Sequence, residues 1–263
     1  MSDAATTDWD IYWQWEWFKG SLAEGKFRDY FTPSAEHLDH LLRQAGAKKV
    51  LDASCGPGCK SVLLYERGYE VTASDASQVA VDIAGEIATE EGADIAIHRH
   101  AWDALPGEWD GAFDAVINDA LAWVPAKDAL HAAMRSFCRV LKPGGVLLFA
   151  GASELESTRT AAELIEADWH GPDPRLAGRW QRHEVSMIEL AVDERLDDAI
   201  VCHHLYVVEE SGQVRLETAR YVTLYRWSWQ DYQTAAAQAG FASLRSERLE
   251  LAGRTKIHNI ATK

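Results

Sequence analysis

Apolar positions recur at helical spacing through Ala35, Leu38, Leu41, Leu42 and Ala45, and Gly46 follows where a left-handed closing residue belongs. Residues 34–46 therefore read as a helix. The period then changes. Lys49-Val50-Leu51-Asp52-Ala53 is a short apolar run of the kind found in strands buried on both faces. Gly56 and Gly58 punctuate it, and a helix follows through Val62, Leu63 and Leu64. The same alternation predicts a strand at 69–73, a helix at 79–88, strands at 94–98 and 113–117, and a helix over 127–140. The turn Lys142-Pro143-Gly144-Gly145 then opens a strand at 146–150. Strands and helices in this rhythm imply an α/β fold: a Rossmann-like, doubly wound, mostly parallel sheet. After residue 180 the rhythm stops. Segments 184–192, 199–209 and 214–224 are rich in β-forming residues, and Asp197-Asp198 and Ser211-Gly212 between them read as hairpin turns. An antiparallel ribbon is thus expected as an insertion at about residues 181–225. A helix over 228–239, ended by Gly240, and strands at 241–250 and 256–261 close the chain.

The N-terminal segment departs from this pattern. Trp9, Tyr12, Trp13, Trp15, Trp17 and Phe18 crowd into ten positions, and helical spacing puts Trp9, Tyr12, Trp13 and Trp17 on one face. Two readings stand: a helix that packs on the body, or an aromatic lid over a ligand. The lid reading divides the chain into an N-terminal lid, 1–33, and a main domain, 34–263.

Composition narrows the function classes. With 47% apolar and 25% charged residues among 263, the chain is an ordinary globular one. No apolar run is long enough to span a membrane. The opening residues lack the basic-then-apolar pattern of a secretion signal, so a cytoplasmic location is expected. A net charge of −15 without a basic cluster argues against nucleic acid. Cys55, Cys59, Cys138 and Cys202 form no paired framework, and no metal site is expected, because zinc needs about four ligands. A homo-oligomer is compatible with the sequence.

In a doubly wound sheet, ligands bind beyond the carboxyl ends of the strands, where strand order reverses. The first such turn is Asp52-Ala53-Ser54-Cys55-Gly56-Pro57-Gly58. Its glycines let backbone approach a ligand closely. A dinucleotide site wants a third glycine, where this chain has Ser61, and the Asp52 carboxylate is unfavourable beside a pyrophosphate. It suits a ligand bearing an ammonium and a sulfonium. Asp75, ending the second strand, can take two ribose hydroxyls. Trp102-Asp103, after the third strand, offers a ring and an acid for adenine. These features favour S-adenosylmethionine and leave a nicotinamide-dependent oxidoreductase as the distant alternative.

Together the segments resemble the class I S-adenosylmethionine-dependent methyltransferases, and within them the glycine N-methyltransferase branch. Val50-Leu51-Asp52-Ala53-Ser54-Cys55-Gly56-Pro57-Gly58 is similar to that branch's first motif, and Val71-Thr72-Ala73-Ser74-Asp75-Ala76-Ser77 to its ribose segment. Phe113-Asp114-Ala115-Val116-Ile117 resembles its fourth strand, and Leu141-Lys142-Pro143-Gly144-Gly145 its turn before the fifth. The resemblance implies that Asp52, Ser54, Gly56 and Gly58 hold the methionine end, Asp75 and Ala76 the ribose, and Ala101 and Trp102 the adenine. It pairs Arg28 with the cofactor carboxylate; Asn118, at the end of the fourth strand, is a further candidate for contacting the cofactor.

Methyl transfer is an in-line displacement, so the enzyme aligns donor and acceptor and excludes water. An amine acceptor must attack as the neutral base, and Asn118 and Asp119, ending the fourth strand, are the catalytic candidates for orienting it. Their other reading is a capping pair in the turn. Tyr12, Trp15, Tyr30, Glu154 and Tyr225 are the candidates for contacting the acceptor. Glu154 marks a departure, since the resembled branch has an arginine just after the fifth strand that grips the substrate carboxylate. An acid there favours a cationic or neutral acceptor. The expected reaction is methylation of a small-molecule amine nitrogen; O-, S- or C-methylation of a natural-product intermediate is the alternative.

Overall fold

A computed structural model describes the chain except residues 1–6, 21, 23–25, 125, 156–159, 225–226 and 252–253. It divides into two compact units, one of residues 1–21 and 159–226, the other of 22–158 and 227–263.

The larger unit is built on a seven-stranded sheet. Its elements are α2 (Phe27–Gln44), β1 (Lys49–Asp52), α3 (Cys59–Glu66), β2 (Glu70–Asp75), α4 (Gln78–Glu90), β3 (Ala96–Arg99) and β4 (Phe113–Asn118). They continue with α5 (Lys127–Val140), β5 (Leu141–Phe149), α7 (Trp229–Ala239), β10 (Ser243–Leu251) and β11 (Arg254–Thr262). The strand order is β10-β11-β5-β4-β1-β2-β3. Strands β1 to β5 pair in parallel, and β11 returns antiparallel to β5 with β10 antiparallel beyond it. The chain leaves β3 at one edge and re-enters at β4 on the other side of β1. The crevice at this reversal lies above the carboxyl ends of β1 and β4, where a doubly wound sheet binds its ligand. The expected alternation is thus observed.

The core explains why β1 is central: Val50, Leu51 and Asp52 are sealed from solvent, and Leu38, Leu42 and Leu64 pack with Val50, Val71 and Ile117. Each fully buried leucine contributes roughly 1.5–3 kcal/mol. Two boundaries differ from the sequence expectation. Helix α2 begins at Phe27, and Pro33 lies inside it, because Phe27 is itself a core residue. Strand β5 begins at Leu141, paired with Phe113, and its register shifts before Val146 resumes opposite Ala115.

The smaller unit holds α1 (Asp8–Phe18), α6 (Ala161–Asp168) and a four-stranded antiparallel sheet, β6 (Arg175–Arg182), β7 (Val185–Arg195), β8 (Ala199–Glu210) and β9 (Gln213–Leu224), in sequence order. Three of its strands match the expected ribbon; β6 and α6 were not foreseen. Ser211 and Gly212 both have positive φ, the geometry of a two-residue hairpin. Helix α1 packs through Ile11, Tyr12, Trp15 and Phe18 on Met187, Tyr206, Val208 and Ala219. This stripe, spaced at three and four residues, replaces the face expected from Trp9, Tyr12, Trp13 and Trp17.

Candidate active site

Strand β1 ends at Asp52 because the next residues must turn out of the sheet. The turn is fixed by Cys55 N–H donating to the Ser74 carbonyl (3.1 Å) and Gly58 N–H to that of Cys55 (2.9 Å). Gly58 opens α3 with φ +73°, and a Cβ there would stand 2.9 Å from the Cβ of Ala84 on α4. Only glycine satisfies both the left-handed backbone and the close approach of α4. The Asp75 carboxylate accepts from Gly56 N–H (3.0 Å) and Ser77 N–H (2.9 Å), tying the loop to the end of β2. His100 N–H donates to the Asp75 carbonyl, which brings Ala101 and Trp102 alongside. Trp102 starts a short 3₁₀ turn and is half-buried. Ala76 is pinned by Arg99, whose Nε donates to its carbonyl (3.1 Å). We expect Asp75→Ala to weaken cofactor binding by about tenfold or more, the loss of charge-assisted hydrogen bonds worth roughly 1.5–3 kcal/mol. Titration calorimetry giving unchanged affinity would remove Asp75 from the site.

Three polar atoms at this crevice are sealed from solvent and lack a partner: Asp52 Oδ1, Ser54 Oγ and Asn118 Nδ2. Buried polar groups are rarely left so. They comprise an acceptor, a hydroxyl and a donor, which fit the ammonium and carboxylate of a methionine end. Asp52 Oδ2 accepts from Ser61 Oγ (2.8 Å). Burial raises the Asp52 carboxyl above the usual carboxylate range, opposed by Lys60 and the Ser61 bond. Asn118 Oδ1 accepts from Ala120 N–H (3.0 Å), so half of its amide caps the turn while the other half is unspent.

Asp119 stands differently. Its carboxylate is ion-paired with the Lys60 ammonium on α3 and lies 3.7 Å from His258 Nε2 on β11. Burial alone would raise this carboxyl, but Lys60 and His258 outweigh it and hold it far below the usual range. Asp119 therefore stays anionic. It can accept an N–H bond and orient an acceptor, but so depressed a carboxyl is a poor base for that acceptor's proton. Behind it, His37 lies with its ring centroid 4.5 Å from that of His258, and burial first, then the neighbouring His258, lowers its pKa to about 4. The thiols of the loop are inert: burial pushes Cys55 well up and Cys59 to about 12.

Other expected site residues fall elsewhere. Arg28 donates both guanidinium nitrogens to Glu66 (2.9 and 2.6 Å) and one also to Glu91. Glu66 closes the helix that Gly58 opens, about 12 Å along its axis at 1.5 Å per residue, so this fork is spent away from the loop. Trp15 is interior to the smaller unit, 2% exposed, with Nε1 donating to Glu217 (2.8 Å). It is a packing residue, not an acceptor contact. Tyr12 is half-buried among Trp9, Trp13, His204 and Tyr221. Tyr30 is 69% exposed on α2 with its ring against Phe31. Glu154 accepts from Ser246 N–H (2.9 Å), which ties it to β10. Tyr225 lies outside the described residues. Sequence reasoning missed Lys60 and His258; Lys60, two residues after Gly58 in the first turn of α3, was the readable signal.

Residues 50–145 match the family described as a methyltransferase domain. Residues 50–145 are thus a methyltransferase domain of the class I S-adenosylmethionine-dependent kind. S-adenosylmethionine is the cofactor of this family, and the dinucleotide alternative falls with that match. The domain is 31% identical over 123 residues to the human glycine N-methyltransferase, covering 41% of this chain and 42% of that one. It is also 31% identical over 130 residues to the ubiquinone biosynthesis O-methyltransferase of Chromobacterium violaceum, covering 48% and 55%. The chain spans about half the length of the curated relatives it matches. The solved structure of a sugar N-methyltransferase from Streptoalloteichus is similar over 100% of this chain and 95% of its own, with a TM-score of 0.69 at 19% identity. At that identity the likeness is one of fold. No helix among the described residues is long and apolar enough to cross a membrane.

Proposed function

We propose that this chain transfers a methyl group from S-adenosylmethionine to the nitrogen of a small-molecule amine. The observation that supports the transfer is the trio of unpartnered atoms, Asp52 Oδ1, Ser54 Oγ and Asn118 Nδ2, set around the glycine loop of a methyltransferase domain. The sulfonium supplies an activated methyl group when bound. The chain's own residues then orient the reactants. In this reading Asp52 takes the ammonium, Asp75 the ribose hydroxyls, and the half-buried Trp102 the adenine ring.

The amine reading rests on charge. Asp119 remains an anion at the end of β4, one residue from the unspent Asn118 amide. A carboxylate so placed accepts N–H bonds and repels an acidic acceptor, and it aligns the attacking nitrogen without removing its proton. Among the sequence relatives, the human glycine N-methyltransferase acts on nitrogen by its name. A nucleic-acid acceptor is disfavoured by the net charge of −15.

A panel of amines, phenols and thiols, scored by release of S-adenosylhomocysteine, tests the reading. Turnover confined to amines is expected. Turnover confined to phenols or thiols would replace it with O- or S-methylation. Calorimetry showing micromolar NAD binding and no S-adenosylmethionine binding would overturn the transfer itself.

A further inference from the structure

The S-adenosylmethionine carboxylate needs a cation, and Arg28, the residue that resemblance assigned to it, is committed to Glu66 and Glu91. Lys60 offers what Arg28 does not. It sits in the first turn of α3, immediately after the glycine loop, and only 8% of it is exposed. Its ammonium has three donors, and one hydrogen bond is formed, to Asp119 Oδ2. Its other N–H groups are left for a further partner, and Lys60 and Asp52 stand near enough for each to shift the other's titration.

Two further features make this corner suited to an anion. No side chain caps the N-terminus of α3, so its leading amides and the positive end of its dipole meet the loop. Asp52 and Asp119 outnumber Lys60 here, yet an incoming ammonium would satisfy the unpartnered Asp52 Oδ1 and leave Lys60 to the carboxylate. An amino acid's two charges thus find opposite partners within one turn of chain.

We propose that Lys60 is the counter-ion of the methionine carboxylate in this chain, sharing its ammonium between that carboxylate and Asp119. The inference rests on the methyltransferase reading. It makes Lys60 a specificity residue that distinguishes S-adenosylmethionine from the decarboxylated nucleoside, S-adenosyl-3-methylthiopropylamine, which keeps the amine and the sulfonium.

Titration calorimetry of both ligands against the full chain tests it. The wild type should prefer S-adenosylmethionine by about thirtyfold, the scale of a charged hydrogen-bonded pair. In Lys60→Met the preference should fall to within threefold, because only the carboxylate-bearing ligand loses a partner. Lys60→Arg should restore most of it, and Arg28→Met should leave it unchanged. Equal affinity of the wild type for both ligands would overturn the assignment without any variant. So would equal weakening of both in Lys60→Met with the preference intact, or collapse of the preference in Arg28→Met. A wild type that binds neither ligand would instead sink the methyltransferase reading, and the assignment with it.

Discussion

Asp52→Asn is expected to weaken S-adenosylmethionine binding by about a hundredfold or more while leaving the ligand-free protein as stable as the wild type, or more so. The affinity loss follows from removing one partner of a buried ion pair, which costs about 3–5 kcal/mol. The stability effect has the opposite sign. Asp52 is sealed in the sheet, and burial raises its carboxyl above the usual range in spite of Lys60 and Ser61. A group whose folded pKa is raised contributes stability below its unfolded value, and that contribution is lost as pH rises through the folded value. At neutral pH the ionised Asp52 therefore costs stability. Asparagine keeps the shape and an oxygen for the Ser61 hydroxyl but carries no charge. Binding should also depend on pH: wild-type affinity should fall as pH drops through the raised Asp52 value, since the protonated acid cannot pair with an ammonium. The asparagine variant should be flat over the same range. Calorimetry across pH together with thermal melts measures both. An unchanged affinity, or a clear drop in melting temperature, would show that Asp52 is structural.

The loop was legible in the sequence because its signals are local. An apolar strand, a carboxylate within it, and glycines two residues apart fall within nine positions, and the conformation of Gly58 follows from chemistry the residue itself carries. The ribbon was legible for the same reason, through alternation and turn residues. What failed depended on partners far along the chain. Lys60 gains its meaning from Asp119, and Asp119 in turn from His258 on the last strand. On β7, Glu189 and Asp193 break the inward apolar pattern, and they are tolerated because Lys19 and His204 hold the first and Arg175 the second. Trp15 was misread by period alone: the stripe through Ile11, Trp15 and Phe18 is as helical as the one chosen, and the sheet beneath decides between them. Arg28 was misread by resemblance, which matched a residue type without the carboxylates that claim it.

Asp119→Ala is expected to be the most destabilising of the single changes at the site. The substitution leaves the Lys60 ammonium buried beside the loop with its one hydrogen bond gone. Breaking a buried ion pair by removing one partner costs about 3–5 kcal/mol, and the nearby Asp52 offsets part of it. A third of the Asp119 side chain meets solvent, which places the cost at the lower end, about 3 kcal/mol, after screening. At roughly 2–4 °C per kcal/mol for a chain of this size, the melting temperature should fall by about 6–12 °C. The pH dependence is the reverse of that for Asp52. Lys60 and His258 depress the Asp119 carboxyl, so its contribution is present above the unfolded carboxylate value, about 3.9, and is lost as pH falls towards the folded value. The gap between wild type and variant should thus be constant above about pH 5 and narrow below about pH 4. Adding Lys60→Met to Asp119→Ala should recover part of the loss, because the stranded charge is removed with its partner. Additive losses in the double variant would show that the pair is not coupled. Recovery would establish that one lysine serves two carboxylates of opposite tuning: Asp119, which it keeps charged, and Asp52, which it leaves raised until a ligand ammonium arrives.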